Sequence, residues 1–278
     1  MSMSVQGEAS QQDHPLCMVT GANTGIGFEV ARGLANNGSR VILACRNQAK
    51  GEAARSAIAT ETKNPGVELL VVDLASQSSI RNAVQEFAGK HSALDVLVNN
   101  AGVIVPSRQE SPDGIELTFS TNVLGYFLLT SLLLDSLHRS PTARVVNVAS
   151  LMAYGLELDD LEFKRRPYSG KLAYAQSKQA NRMLTWALAR RLEGTPVTAN
   201  AMSPGSVNTP LLHAIVPGYA GRTPAEGADT VVWLATSTEV AGMSGRFWAD
   251  RTEQPCEFQG DDEDEETLWS LCERMTTR

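Results

Sequence analysis

Tyr174 and Lys178 stand four residues apart in the stretch Tyr174-Ala175-Gln176-Ser177-Lys178. In a helix that spacing puts both side chains on one face. An ammonium beside a phenol favours the phenolate and lowers a pKa that is ordinarily about 10. Such a pair can move a proton near neutral pH. Ser150 follows the apolar run Val145-Val146-Asn147-Val148. Its hydroxyl could hold a reacting oxygen and donate to it as charge develops. Taken alone, these residues read equally well as a surface tyrosine, a solvated lysine and a loop serine. A third feature shifts the balance. The run Leu16–Thr20 is followed by Gly21-Ala22-Asn23-Thr24-Gly25-Ile26-Gly27, and a helical pattern then begins. Glycine permits a tight turn and a close approach of backbone to a pyrophosphate. A helix N-terminus adds free N–H groups and the positive end of its dipole. The spacing is Gly-x-x-x-Gly-x-Gly rather than the common Gly-x-Gly-x-x-Gly, but its place after the first strand points to a dinucleotide.

The second apolar run ends Leu43-Ala44-Cys45-Arg46-Asn47. A site for NAD normally offers an acid there, to bind the ribose 2′-hydroxyl. Here no acid competes, and Arg46 offers a guanidinium that would attract the 2′-phosphate of NADP. The plain alternative is a solvated arginine at the start of a helix. NADP(H) is the expected cofactor.

These groups need a frame. Strands are expected at Leu16–Thr20, Arg40–Cys45, Val67–Val72, Asp95–Val98, Arg144–Val148, Val197–Met202 and Gly245–Ala249. Helical patterns lie between them, at Ile26–Asn37, Gln48–Thr62, Gln77–Ala88, Pro112–Leu137, Leu172–Leu192 and Pro224–Ala235. Strand–helix alternation with near-continuous apolar strands reads as an α/β fold: a parallel sheet of about seven strands, covered on both faces. Right-handed crossovers make it a doubly wound, Rossmann-type sheet. One domain over 15–278 is expected, behind a disordered tail at 1–14. Two long connections interrupt the alternation, Leu151–Lys171 and the Gly- and Pro-bearing Ser206–Arg222. Long connections at the carboxyl edge of such a sheet are usually functional, and 206–222 is the expected substrate loop.

Composition removes other classes. The chain has 278 residues and a net charge of −7, and the six acids of Asp261–Glu266 account for most of it. A near-neutral body argues against nucleic-acid or anionic-membrane binding, which needs clustered Lys and Arg. The acidic run is expected as a solvated segment before a short helix, Thr267–Arg274. Cys17, Cys45, Cys256 and Cys272 lie far apart, as do the four histidines, His14, His91, His138 and His213, so no metal site is expected. The cysteines suit a reducing compartment. Met1–His14 is polar, and the most apolar stretch, Val123–Leu134, is short for a bilayer. The expectation is a cytoplasmic protein without a membrane anchor. Phe127, Leu128, Leu132 and Leu133 make one helix apolar on several sides. Core packing is the first reading of that helix, and a homodimer contact the second.

Taken in order, Thr20-Gly21-x-x-x-Gly25-Ile26-Gly27, Asp73, Asn99-Asn100-Ala101-Gly102, Asn122, Ser150, Tyr174-x-x-x-Lys178 and Pro204-Gly205-x-Val207-x-Thr209 form a specific set. With it the chain resembles the short-chain dehydrogenase/reductases from Leu16 to about Ala249. The resemblance implies roles. Tyr174 would be the general acid/base, and Lys178 would also bind the nicotinamide ribose. Ser150 would position the substrate oxygen, and Asn122 would hold the active-site helix and a proton-relay water. Asp73 and Leu74 would border the adenine. Asn100, Ala101 and Gly102 would line the cofactor, with Gly21, Asn23, Thr24, Gly25, Ile26 and Gly27 at its phosphates. Pro204, Gly205, Val207 and Thr209 would bracket the nicotinamide.

Within that family, Ala22-Asn23-Thr24-Gly25, Ala44-Cys45-Arg46, Asp113-Gly114-Ile115-Glu116 and Asn122-Val123-Leu124-Gly125 look like the retinol-dehydrogenase-like branch. So does the interval of 24 residues from Ser150 to Tyr174. Ser203 stands before Pro204 where a histidine is common, so a retinoid is not the implied substrate; a lipophilic alcohol, aldehyde or ketone is. The expected activity is NADP(H)-dependent carbonyl reduction or alcohol oxidation. An isomerase or dehydratase on the same scaffold and a silent dinucleotide sensor are the alternatives, since fold alone does not choose among them.

Overall fold

The computed structural model describes residues 14–215, 218–260 and 262–277. Apart from His14, the expected N-terminal tail lies outside the described residues.

Leu16–Thr20 (β1) is buried along its whole length. Leu16 and Met18 face one apolar layer and Cys17 and Val19 the other. A period of two along a strand covered on both faces gives that division. The chain continues through Gly25–Asn36 (α1), Arg40–Cys45 (β2), Gln48–Thr62 (α2), Val67–Val71 (β3), Gln77–Lys90 (α3) and Val96–Asn99 (β4). Beyond β4 come Leu117–Phe119 (α4), a π-helical turn at Ser120–Leu124, and Gly125–His138 (α5). Arg144–Val148 (β5), Gly170–Arg191 (α6), Thr198–Ser203 (β6), Pro210–Ile215 (α7) and Pro224–Thr236 (α8) follow. Phe247–Ala249 (β7), Thr252–Gln254 (β8) and Asp262–Thr276 (α9) complete it.

The sheet order is β3-β2-β1-β4-β5-β6-β7-β8. Neighbours from β3 to β7 pair in parallel, and β8 pairs antiparallel with β7. The switch point lies between β1 and β4, where the crevice of such sheets opens. Thr20 stitches that point together. Its Oγ1 accepts from the backbone N of Asn100 at 2.8 Å and of Ala101 at 3.0 Å, and Asn100 Nδ2 donates to the Thr20 carbonyl at 2.9 Å.

Four expectations need correction. The sheet has an eighth strand, reached by a two-residue hairpin in which Asp250 and Arg251 both have positive φ. Such turns usually carry Asn-Gly or Asp-Gly, so Asp-Arg gives no signal. The helix expected from Pro112 starts only at Leu117, because Pro112-Asp113-Gly114 forms a turn closed by Gly114 N to Ser111 O at 2.9 Å. Buried Glu116 then caps α4, accepting from Thr118 N at 2.8 Å and Phe119 N at 2.7 Å. The helical stretch Leu117–His138 is 22 residues long, enough to cross a membrane by length and composition. Its most apolar window is 78% buried inside the fold, which makes it a core helix. Finally, the acidic run is not a solvated lead-in. From Asp262 onward its described residues form the first turns of α9, where acids complement the helix dipole. Glu265 is fully buried and pairs with Arg190. Glu266 pairs with Arg190 and Arg191, and the Arg191 hydrogen bond holds its carboxyl down to about 2.

Packed this way, α9 lies along α6 and over α5. Trp269 meets Phe127 edge-on, ring centres 4.8 Å apart. Phe127, Leu128 and Leu133 are all buried in one apolar cluster with Leu268, Trp269 and Cys272 of α9.

Candidate active site

The loop from β1 to α1 bends through Gly21 at φ +67° and Gly25 at φ +58°. A Cβ on Gly21 would also stand 2.9 Å from Ala101 Cα, so only glycine lets the loop lie against the end of β4. Gly21 N donates to the Ala44 carbonyl at 2.8 Å, which ties the loop to β2 as well. Thr24 occupies the N-cap of α1 and its side chain makes no capping bond, so the first-turn N–H groups remain available to an anion.

The loop opens onto a cleft of about 520 Å³. Gly21, Asn23, Thr24, Gly25, Ile26 and Gly27 line it from α1's side, and Ala44 and Arg46 from the end of β2. Asp73 and Leu74 follow β3, and Asn100, Ala101 and Gly102 follow β4. Tyr174, Lys178, Pro204 and Thr209 close it. With Val148 and Ala149 at the end of β5, residues from six strand ends converge on one space. Gly205 and Val207 do not line it. Gly205 turns the chain at φ +74°, and buried Val207 packs against Gly227 and bridges to Arg222.

Asn122 is buried behind the cleft in the π-helical turn. It accepts from Val103 N at 2.8 Å and donates to Val103 O at 3.0 Å and to Ser177 Oγ at 3.1 Å. Three segments are thereby fixed together: the α4–α5 junction, the loop after β4, and α6. Asn122 sits within the π-helical turn itself, in keeping with π-bulges at functional sites.

Ser150 lies two residues beyond β5, beside the Tyr174 hydroxyl. Its Oγ accepts from Met152 N at 3.0 Å. Ser203 ties the neighbouring segments, accepting from Leu151 N at 3.1 Å and Gly205 N at 3.3 Å. Lys178 Nζ donates to the Val148 carbonyl at 2.8 Å and lies 5.5 Å from the Tyr174 ring centre. Burial pushes the Tyr174 hydroxyl up to about 12, and the neighbouring Ser150 hydroxyl pulls in the opposite direction. Burial draws the Lys178 amine down to about 7. The simple coupling expected from spacing, with Lys178 lowering Tyr174, is therefore not what the chain's own groups produce. The helix face that brings the pair together also desolvates both, and desolvation favours each neutral form.

Lys50 and Thr121 are among the lining residues that carry no expectation from the sequence. Lys50 stands four residues after Arg46 and lines the same end of the cleft. Thr121 is buried at its wall, and its Oγ1 has no hydrogen-bond partner. Lys50 was findable from its spacing to Arg46, whereas a threonine inside an apolar helix gives no such sign. Tyr168 packs the inserted segment onto Glu116 and Val105 rather than facing the cleft. His213 is exposed on α7 and contacts Asn208 Oδ1 at 2.7 Å.

The site's features suit a dinucleotide: an uncapped helix N-terminus behind a glycine turn, two cations at one end, and an unpaired buried hydroxyl in the wall. The family model for short chain dehydrogenase matches residues 16–220. Human retinol dehydrogenase 14 is 40% identical, covering 93% of this chain and 85% of its own. A crystallised uncharacterised protein from Mycobacterium paratuberculosis superposes with a TM-score of 0.77 at 34% identity, covering 97% of each chain. A short chain dehydrogenase from Escherichia coli CFT073, complexed with NADPH, superposes with a TM-score of 0.71 at 26% identity, covering 86% of this chain and 98% of that one. The chain belongs to the short-chain dehydrogenase family, is retinol-dehydrogenase-like within it, and is a nicotinamide-dinucleotide-dependent oxidoreductase.

Proposed function

We propose that this oxidoreductase prefers NADP(H) and interconverts lipophilic alcohols with their aldehydes or ketones. The observation that carries the cofactor preference is the pair Arg46 and Lys50 at the cleft end next to β2, with no acid at that strand end. Two cations there favour a 2′-phosphate over a 2′-hydroxyl. The NADPH complex of the similar Escherichia coli protein supports the same reading. The bound dinucleotide supplies or accepts the hydride. The chain does the rest. Tyr174 gives its hydroxyl proton to the substrate oxygen during reduction and takes one back during oxidation. Ser150 orients that oxygen through its hydroxyl, and Lys178 keeps positive charge within reach of the phenol when protonated. Leu211 joins the cleft lining, while Leu151, Tyr154 and Tyr219 are large apolar side chains left exposed. Similarity to retinol dehydrogenase 14 supports an apolar substrate as well. The test is to offer NADPH, then NADH, with a panel of aldehydes and ketones of rising apolar bulk, following loss of reduced cofactor and identifying products. Faster turnover with NADH, or a product that is an isomer of its substrate, overturns the proposal.

A further inference from the structure

α6 carries a third residue in register with the pair above. Tyr174, Lys178 and Arg182 recur every four residues on one helix face. Lys178 grips the carbonyl of Val148, and Arg182 Nη2 donates to the carbonyl of Ser150. Successive turns of α6 thus hold alternate carbonyls at the end of β5.

Arg182 is only 5% exposed, and among the described residues no carboxylate lies within ion-pair distance of it. Its guanidinium lies over Phe247, 3.7 Å from the ring centre, and Nη1 is 3.6 Å from Cys256 Sγ. Its Nε has no partner. Burying a cation without a counter-charge is costly, and an apolar side chain would fill the same space more cheaply. Packing alone gives no reason for an arginine here. What the guanidinium does that an apolar group cannot is hold the Ser150 carbonyl.

That carbonyl matters because β5 ends at Val148 and no helix or strand follows until Gly170. The peptide after Ser150 sets the direction of the Ser150 side chain, and that side chain lies beside the Tyr174 hydroxyl, whose pKa it draws down. We infer that Arg182 is a positioning residue for Ser150, anchored on Phe247 and Cys256, and acts on the reaction only through the Ser150 hydroxyl. The inference rests on the proposed role of Ser150 as the group that orients the substrate oxygen.

A mutant cycle in the full-length chain tests it. Arg182→Met keeps the bulk and removes the donors; Arg182→Lys keeps a charge and one donor. Each is made alone and with Ser150→Ala, and kcat, KM, the NADPH dissociation constant by fluorescence, and the melting temperature are measured. Arg182→Met should lower kcat about tenfold to a hundredfold, the scale of a hydrogen bond to a charged group, with NADPH affinity unchanged. In the Ser150→Ala background the same substitution should change kcat by less than about twofold, the sign of two residues acting as one unit. Arg182→Lys should recover part of the loss. Equal losses in both backgrounds, or no loss in either, overturn the inference. A Ser150→Ala enzyme with unreduced kcat overturns the role of Ser150 itself, which is a distinct failure. If Arg182→Met does not fold, Arg182→Lys carries the cycle with the same two readings.

Discussion

Lys178 Nζ reaches past the Tyr174 ring to the backbone carbonyl of Val148, 2.8 Å away, at the end of the neighbouring β5. The lysine is thus held by the sheet before any ligand is considered, and burial alone brings its amine down to about 7. An ordinary lysine titrates near 10.4.

This has a stability consequence. Between about pH 7 and 10 the unfolded chain keeps a proton on Lys178 that the folded chain has lost. Stability therefore rises with pH across that window. Tyr174, raised to about 12, acts in reverse but only above its ordinary value of about 10. Urea unfolding at pH 7 and at pH 9.5 should show wild type gaining roughly 3 kcal/mol relative to Lys178→Met. Parallel pH profiles for the two proteins would mean that Lys178 is not neutralised by burial.

Tyr174→Phe keeps the ring in its buried place and removes only the hydroxyl. Turnover should fall about 10²- to 10⁴-fold, the usual contribution of a positioned acid or base. NADPH should still bind, because the cleft lining is otherwise intact. A variant that keeps most of its kcat would falsify the assignment of the proton to this residue.

Arg46→Ala should raise KM for NADPH far more than for NADH, by the loss of a charge-assisted contact worth on the order of 1.5–3 kcal/mol. Lys50 lines the same end, so Lys50→Ala should act in the same direction. The double variant should approach equal use of both cofactors. Steady-state kinetics with each cofactor decide the matter, and equal effects on the two would remove the preference for NADP.

Most of the frame was legible because its signals are local. The alternating strands and the glycine turn after β1 read directly from Leu16 to Gly27, and the four-residue spacing of Tyr174 and Lys178 placed both on one face. What escaped depends on distant contacts. Glu265 reads as one acid in a run, yet it is buried because Arg190 stands opposite on α6. Pro112 reads as a helix start because an apolar pattern follows, but the turn at Gly114 and the buried cap Glu116 postpone the helix. The pKa of Lys178 follows from burial that only the packed sheet defines. Arg182 sits in a helical pattern where an arginine normally reads as solvated, and nothing local announces Phe247 or Cys256 beneath it.

Trp269 tests whether α9 is a permanent cover. Its ring lies on Phe127, and its Nε1 donates to Glu273 at 2.9 Å. Trp269→Ala should cost about 3–5 kcal/mol, as large-to-small changes in a packed interior do. It should also uncover Phe127 and favour self-association, seen by sedimentation velocity. A variant of unchanged stability and unchanged mass would show that α9 adds little to the core.

The connection 206–222 holds two adjacent leucines with different surroundings. Leu211 lines the cleft and approaches Gly102, whereas Leu212 packs against Gly221 within the loop itself. The two can therefore be separated by mutation. Leu211→Ser removes apolar wall from the cleft, at about 0.8 kcal/mol for each methylene a substrate would have buried there. It should lower kcat/KM for bulky apolar carbonyls more than for small polar ones and change the melting temperature little. Leu212→Ser should do the reverse, loosening the loop and lowering the melting temperature while leaving the specificity ratio alone. Both quantities are measured on each single variant. If Leu211→Ser leaves the ratio unchanged, the loop does not form the substrate wall, and the apolar residues near it serve only to pin α7 to the domain.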